Sequence, residues 1–244
     1  MKSGSLVARR LSLLVVLASG VFAAAPSRAV TAFTVAINAG GSPLSLTQAD
    51  FTCSPPSGTL SSCSANGLSA GGMNFNIGFN VDTDPKLFAT VDVLNTTGGT
   101  QQFTALFTVG GVGTSGISTV TSGGVSGGAT DNTGDGATIA APAGSAFYTA
   151  LIDNAVHQTL YSDPFSFGFA SPPFDSQDFP TSTYGPQSGA AIVNSVGLKL
   201  DFKLTGGDSA SMAGTFEIKP VPEPGTALLL GLGLVLMARR EQRR

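Results

Sequence analysis

The chain has no tryptophan, one histidine, two cysteines and three tyrosines in 244 residues, and only 11% of its residues are charged. Each shortage closes off a class of chemistry. Between Val30 and Lys219 there is no arginine, and the only basic residues are Lys86, Lys199, Lys203 and Lys219. Twelve aspartates and Glu217 occupy the same stretch, so its formal charge is −9 where the whole chain shows −3. Phosphate recognition runs on Lys and Arg, so nucleic acid and anionic lipid are poor partners for this region. A nucleophilic triad or a zinc site would have to pass through His157, and Val156-His157-Gln158-Thr159 has no Gly-x-Ser-x-Gly around it. His157 is expected on a strand, facing solvent. Glycoside hydrolysis needs two carboxylates across a cleft. Asp175 and Asp178 could be pressed into that role, but one glutamate and no tryptophan make a poor sugar site. The region reads as non-enzymatic.

Also missing are long stretches of Ala, Leu, Glu and Lys that would build helices. In their place are thirty-two glycines, many Ser and Thr, and short runs that alternate apolar with polar residues. Val30–Asn38 places Phe33, Val35 and Ile37 on one face, and Leu44–Phe51 is a weaker strand. Asn66–Gly72 reads as a turn-rich link. Met73–Val81, Leu87–Leu94 and Gln101–Val109 read as an antiparallel meander. Gly110–Gly136, nearly all Gly, Ser, Thr and Val, reads as a loop or a weakly registered strand pair. Ala137–Asp153 and Ala155–Ser162 return to strand patterning. Asp163–Pro186 mixes Phe165, Phe167, Phe169, Phe174 and Phe179 with Pro164, Pro172, Pro173, Pro180 and Pro186, which excludes a central strand and predicts an aromatic loop. Those rings suit core filling better than a ligand surface. Val196–Thr205 and Ser209–Ile218 flank Gly206-Gly207, the pattern of a β-hairpin. About ten strands without an amphipathic helix predict an all-β fold, an antiparallel β-sandwich of jelly-roll type.

Cys53 and Cys63 are the only cysteines, ten positions apart, and are expected to form a disulfide around a Pro- and Ser-rich loop. Asp131-Asn132-Thr133-Gly134-Asp135-Gly136 looks like half a calcium loop, with oxygen side chains at positions one, three and five and glycine at six. Pro142 stands where such a loop needs its bidentate glutamate, so an acidic turn is the better reading of Asp131 and Asp135. No cofactor is required, and calcium stays open. Asp82 and Asp84 are a weaker candidate pair.

The two ends differ from the middle. Lys2, Arg9 and Arg10 precede the apolar run Leu11–Ala25, and Ser27-Arg28-Ala29 supplies small residues before Val30. That is a signal peptide over residues 1–29, exported by the Sec machinery and cut by signal peptidase after Ala29. The other end, from residue 220, has three parts. Val221, Pro222, Glu223 and Pro224 form a stiff entry, because proline fixes φ and disfavours helix in the residue before it. An apolar run follows through Ala227, Leu228, Leu229, Leu230, Leu232, Leu234, Val235 and Leu236 to Ala238. Arg239, Arg240, Arg243 and Arg244 close the chain and would hold that end on the cytoplasmic side. Twelve apolar residues rise roughly 18 Å against a hydrocarbon core of about 30 Å, so a membrane helix over about 225–238 is a marginal span. The β domain is left as residues 30–219, a length that suits one domain.

The order Pro-Glu-Pro, apolar helix, arginine cluster resembles the PEP-CTERM sorting signal of exported proteins. In that family a membrane-embedded exosortase receives the tail and cuts it. The resemblance implies transient residence in the inner membrane of a Gram-negative bacterium. It then implies release to the cell surface or extracellular matrix, in several cases beside exopolysaccharide. The expected protein is a non-enzymatic surface or matrix component. The rival is a ligand-binding adhesin (carbohydrate, calcium-linked or ice-binding) held by a plain C-terminal anchor.

Overall fold

The computed structural model describes residues 32–54, 60–82, 86–113, 118–170 and 175–221, together with Gly233. Alternation decides the first half. β1 (Ala32–Ala39) buries Phe33, Val35, Ile37 and Ala39 and exposes the residues between them. It turns back into β2 (Ser42–Thr47), its antiparallel neighbour. A short 3-10 turn at Gln48–Asp50 leads to β3 (Thr52–Cys53). β4 (Leu60–Ala70) runs through much of the stretch expected as a link. The register shift between Ala65 and Leu68 absorbs Asn66 and Gly67, and Gly67 donates its N–H to Asn76 Oδ1 at 2.8 Å. β5 (Met73–Asp82) and β6 (Lys86–Asn95) pair antiparallel as expected.

β7 (Gln101–Gly110) is a strand as expected, but not the third strand of that meander. It pairs with β1, so the chain changes sheets at residues 96–100. The glycine-rich stretch expected to be loose holds β8 (Thr119–Thr130), an interior strand. β9 (Ala137–Ala140), β10 (Ala146–Ile152) and β11 (Ala155–Ser162) follow. The proline-rich segment is β12 (Ser166–Phe169) and β13 (Ser176–Gly189) rather than one loop. β13 lies at a sheet edge, and its pairing with β8 shifts at Phe179/Ser182 and Tyr184/Gln187, which accommodates Pro180 and Pro186. β14 (Ser195–Leu204) and β15 (Ser209–Pro220) close the fold.

The result is the expected antiparallel β-sandwich. One sheet is ordered β11-β10-β14-β7-β1-β2, with β9 and β12 joined to β14 at one end. The other is ordered β13-β8-β15-β6-β5-β4-β3. β14 and β15 are therefore not a hairpin. Gly206-Gly207 carries the chain from one sheet to the other, with Gly207 at φ 78°, and a side chain there would run into Thr133.

Between the sheets lies an aromatic layer. Phe79 stacks on Phe107 at 5.2 Å, Phe75 meets Phe103 edge-on at 5.2 Å, and Phe147 packs against Phe202 and Phe179 at about 5.5 Å. Burial of each such ring contributes roughly 1.5–3 kcal/mol, so this layer is the main cohesion of the sandwich. The glycines of β8 complement it. Tyr148, fully buried on β10, reaches across and donates its hydroxyl to the Thr215 carbonyl on β15 at 2.7 Å. A Cβ on Gly123 would lie 2.5 Å from that hydroxyl and 2.6 Å from the Thr215 oxygen. Gly123→Val is expected to lower stability by about 3 kcal/mol in urea unfolding, because neither atom can retreat.

Candidate functional site

Two of the crossings between sheets, residues 96–100 and 205–208, meet at one end of the sandwich, and a third, the loop after β8, joins them. Three polar side chains there are fully buried: Asn95, Asp131 and Asp208. Asn95 donates Nδ2 to the carbonyls of Gly99, Leu204 and Thr205 at 2.8–3.1 Å, and its Oδ1 accepts from Thr97. Asp131 Oδ1 accepts from the N–H of Thr133 at 3.1 Å and of Gly134 at 2.7 Å, and Oδ2 accepts from Gly136 at 3.0 Å. Asp208 accepts from the Asn132 N–H at 3.2 Å and from the Thr205 hydroxyl.

Carboxylate oxygens of Asp131, Asp135 and Asp208 lie within 4.8 Å of one another. Thr133 Oγ1 stands among them, in contact with all three. These are the residues that could hold a cation. Asp131 and Asp135 were legible as a half-loop. Asp208 was not, because it arrives from beyond the second crossing. Asp131 is already occupied as an Asx-type turn acceptor, which fits the acidic-turn reading. Asp82 ends β5, and Asp84 lies outside the described residues. Asp178 is exposed on β13, and Asp175 accepts from Ser176 and Gln177 beside it.

A second polar cluster lies on the outer side of the first sheet. Asp201 is 5% exposed and accepts from Gln102 at 2.8 Å, Thr104 at 3.0 Å, Ser145 at 2.9 Å and Lys199 at 3.2 Å. Ser145 donates to the carboxylate, and the lysine beside it is held by the same carboxylate. This arrangement fixes the Ser145 loop onto the sheet, and the Lys199 amine also donates to the Ser145 hydroxyl at 3.3 Å.

His157 is half-buried at the seam between the sheets, not solvent-facing as expected. Its Nε2 lies 2.7 Å from Thr121 Oγ1 on β8, and its ring stacks near Phe216 with centroids 6.3 Å apart. The alternation rule fails here because the β10–β11 register shifts between Ala150 and Leu151 and leaves His157, between Val156 and Gln158, outside the pairing. Burial lowers the pKa of His157. The stability contributed by the neutral ring is present above the unfolded value near 6.5 and is lost as pH falls through the lower folded value. The urea midpoint is expected to drop between about pH 7.5 and about pH 5, and His157→Gln is expected to flatten that part of the profile.

Cys53 and Cys63 are bridged as expected, directly opposite each other on β3 and β4. Val221 is exposed and donates its N–H to the Ser118 carbonyl at 2.8 Å. Pro222, Glu223, Pro224, the apolar side chains Ala227–Leu236 and the arginines 239, 240, 243 and 244 lie outside the described residues, as does the expected signal peptide. Among the described residues no helix is long and apolar enough to cross a membrane. Residues 220–244 match the family model of the PEP-CTERM protein-sorting motif.

The chain carries a PEP-CTERM sorting signal. Export and processing by an exosortase follow from the signal. The PEP-CTERM match begins at Pro220, the last residue of β15, so the signal starts where the sandwich stops. No curated protein matches the chain. Among solved structures the chain is similar to the Slr1438 protein from Synechocystis sp. PCC 6803, at 10% identity with a TM-score of 0.26. That likeness covers 70% of this chain and 66% of the other, just under two thirds of it, and carries no argument about fold or function.

Proposed function

We propose that this is a non-enzymatic β-sandwich protein exported with a cleavable signal peptide. An exosortase then trims it and releases it to the cell surface or extracellular matrix. The carrying observation is the sorting signal at residues 220–244, placed immediately after the last strand. The polar clusters support a structural rather than a catalytic reading. His157 is engaged with Thr121, and Ser145 is a donor to Asp201. The apolar run acts as a short membrane helix that is held and then released, with Arg239, Arg240, Arg243 and Arg244 as its stop.

The test is mass spectrometry of the surface fraction. The expected form ends near Pro222-Glu223-Pro224, and replacement of those three residues by alanine keeps the chain in the membrane fraction. An intact Arg244 on the cell surface overturns sorting and favours the plain anchor.

The same reading includes no cofactor. Chelation of the purified protein with EDTA is expected to leave its thermal midpoint unchanged. A fall that added calcium reverses would turn the corner of Asp131, Asp135 and Asp208 into a cation site and favour the calcium-linked adhesin.

A further inference from the structure

Both ends of the described domain emerge at the same pole of the sandwich. Ala32, at the start of β1, is paired with Gly110. Pro220, at the end of β15, is paired with Thr119. The short chain between Gly110 and Thr119 joins these two points, and Gly111 donates to the Asn194 carbonyl beside them. The opposite pole holds the sheet crossings at residues 96–100 and 205–208 and the Asp131–Asp208 corner. β15 separates the poles by about 40 Å, at roughly 3.3 Å per residue.

The tether at the tail pole is short. Only six residues, Val221–Thr226, lie between β15 and the apolar run. Whatever conformation they take, they span at most about 20 Å, half the length of the domain. A chain whose tail is in a membrane therefore cannot present its far pole to that membrane without folding the whole sandwich over on this tether.

Two features of the surface agree. Of the four exposed large apolar side chains among the described residues, Val156 (66%), Val193 (71%) and Val221 (37%) are at the tail pole. Val193 lies beside Asp153, whose carboxylate is closed off by the N–H groups of Val193, Asn194 and Ser195. Charge is divided the same way. Asp92, Asp131, Asp135, Asp163, Asp175, Asp178 and Asp208 gather toward the far pole, where Lys203 is the one described cation besides the paired Lys199. Among the described residues the tail pole sets Lys86 and Lys219 against Asp50, Asp82, Asp153 and Glu217, with Lys219 paired to Glu217 at 3.2 Å. An anionic membrane surface repels the far pole more strongly than the tail pole.

We infer that the tail pole, built around Val156, Val193 and Val221, is a bilayer-facing surface that rests on the lipid interface while the tail is inserted. The acidic pole is thereby turned outward. This rests on the sorting-tail reading above. The surface is not an electrostatic membrane binder: the tether brings it there, and the valines and a smaller negative charge than the far pole's let it stay.

The full tail-bearing chain is reconstituted in vesicles of phosphatidylethanolamine and phosphatidylglycerol containing spin-labelled lipid. A fluorophore is placed on Val156→Cys, Val193→Cys or Thr100→Cys, with Cys53–Cys63 left bridged. Lipid quenching is expected to be several-fold stronger at 156 and 193 than at 100, which lies at the far pole. A chain that floats with the vesicles but is quenched equally at all three positions, or more at 100, overturns the orientation alone. A chain that does not float with the vesicles overturns the inserted tail, and the orientation with it.

Discussion

A backbone that leaves one sheet for the other must find partners for the polar groups it takes through the interior edge. That requirement governs the pole farthest from the sorting signal. The chain crosses there more than once, and the crossings after β6 and after β14 are tied by side chains rather than by a shared ladder. Asn95 gathers three carbonyls from both, Asp131 gathers three N–H groups from its own loop, and Asp208 reaches back to Asn132. Remove those partners and the crossings carry unsatisfied groups into a buried setting, each costing about 1–3 kcal/mol. With this corner satisfied, the two sheets close over their aromatic layer at this pole.

The same corner marks the limit of what the sequence made legible. Alternation in Phe33–Ile37, Phe75–Val81, Phe103–Val109 and Val196–Leu204 identified strands and their inner faces correctly. It carried no information about which sheet each strand joins. A turn of two glycines suits a tight hairpin and a sheet crossing equally, so β14–β15 read as paired when they face each other across the core. β8 failed for another reason. Its inner positions are partly glycine because Tyr148 fills the space from the other sheet, so the apolar half of its alternation sits on β10. The proline-rich segment was rightly kept from the sheet interior, but an edge strand with shifted register can hold prolines that an interior strand cannot.

The site residues divide similarly. The cysteine pair and the sorting signal depend on local order along the chain, and local order is what a sequence displays. The acidic corner needs Asp208 to meet a loop far upstream, and the seam at His157 needs a register shift between two strands. Both are products of packing. The glycine and serine content that suggested looseness instead allows strands and side chains of the two sheets to approach closely.

One placement has a mechanical meaning. β15 is an interior strand, bonded along its whole length to β8 on one side and from Ser209 to Glu217 to β6 on the other. The sorting tail continues from its end. Any pull on the tail is thus directed along the strand and loads the flanking ladders together in shear, the geometry in which backbone hydrogen bonds must rupture as a group rather than one after another. A pull across the strands would instead peel the ladder one bond at a time. The sandwich is built to be handled by its C-terminus without unravelling.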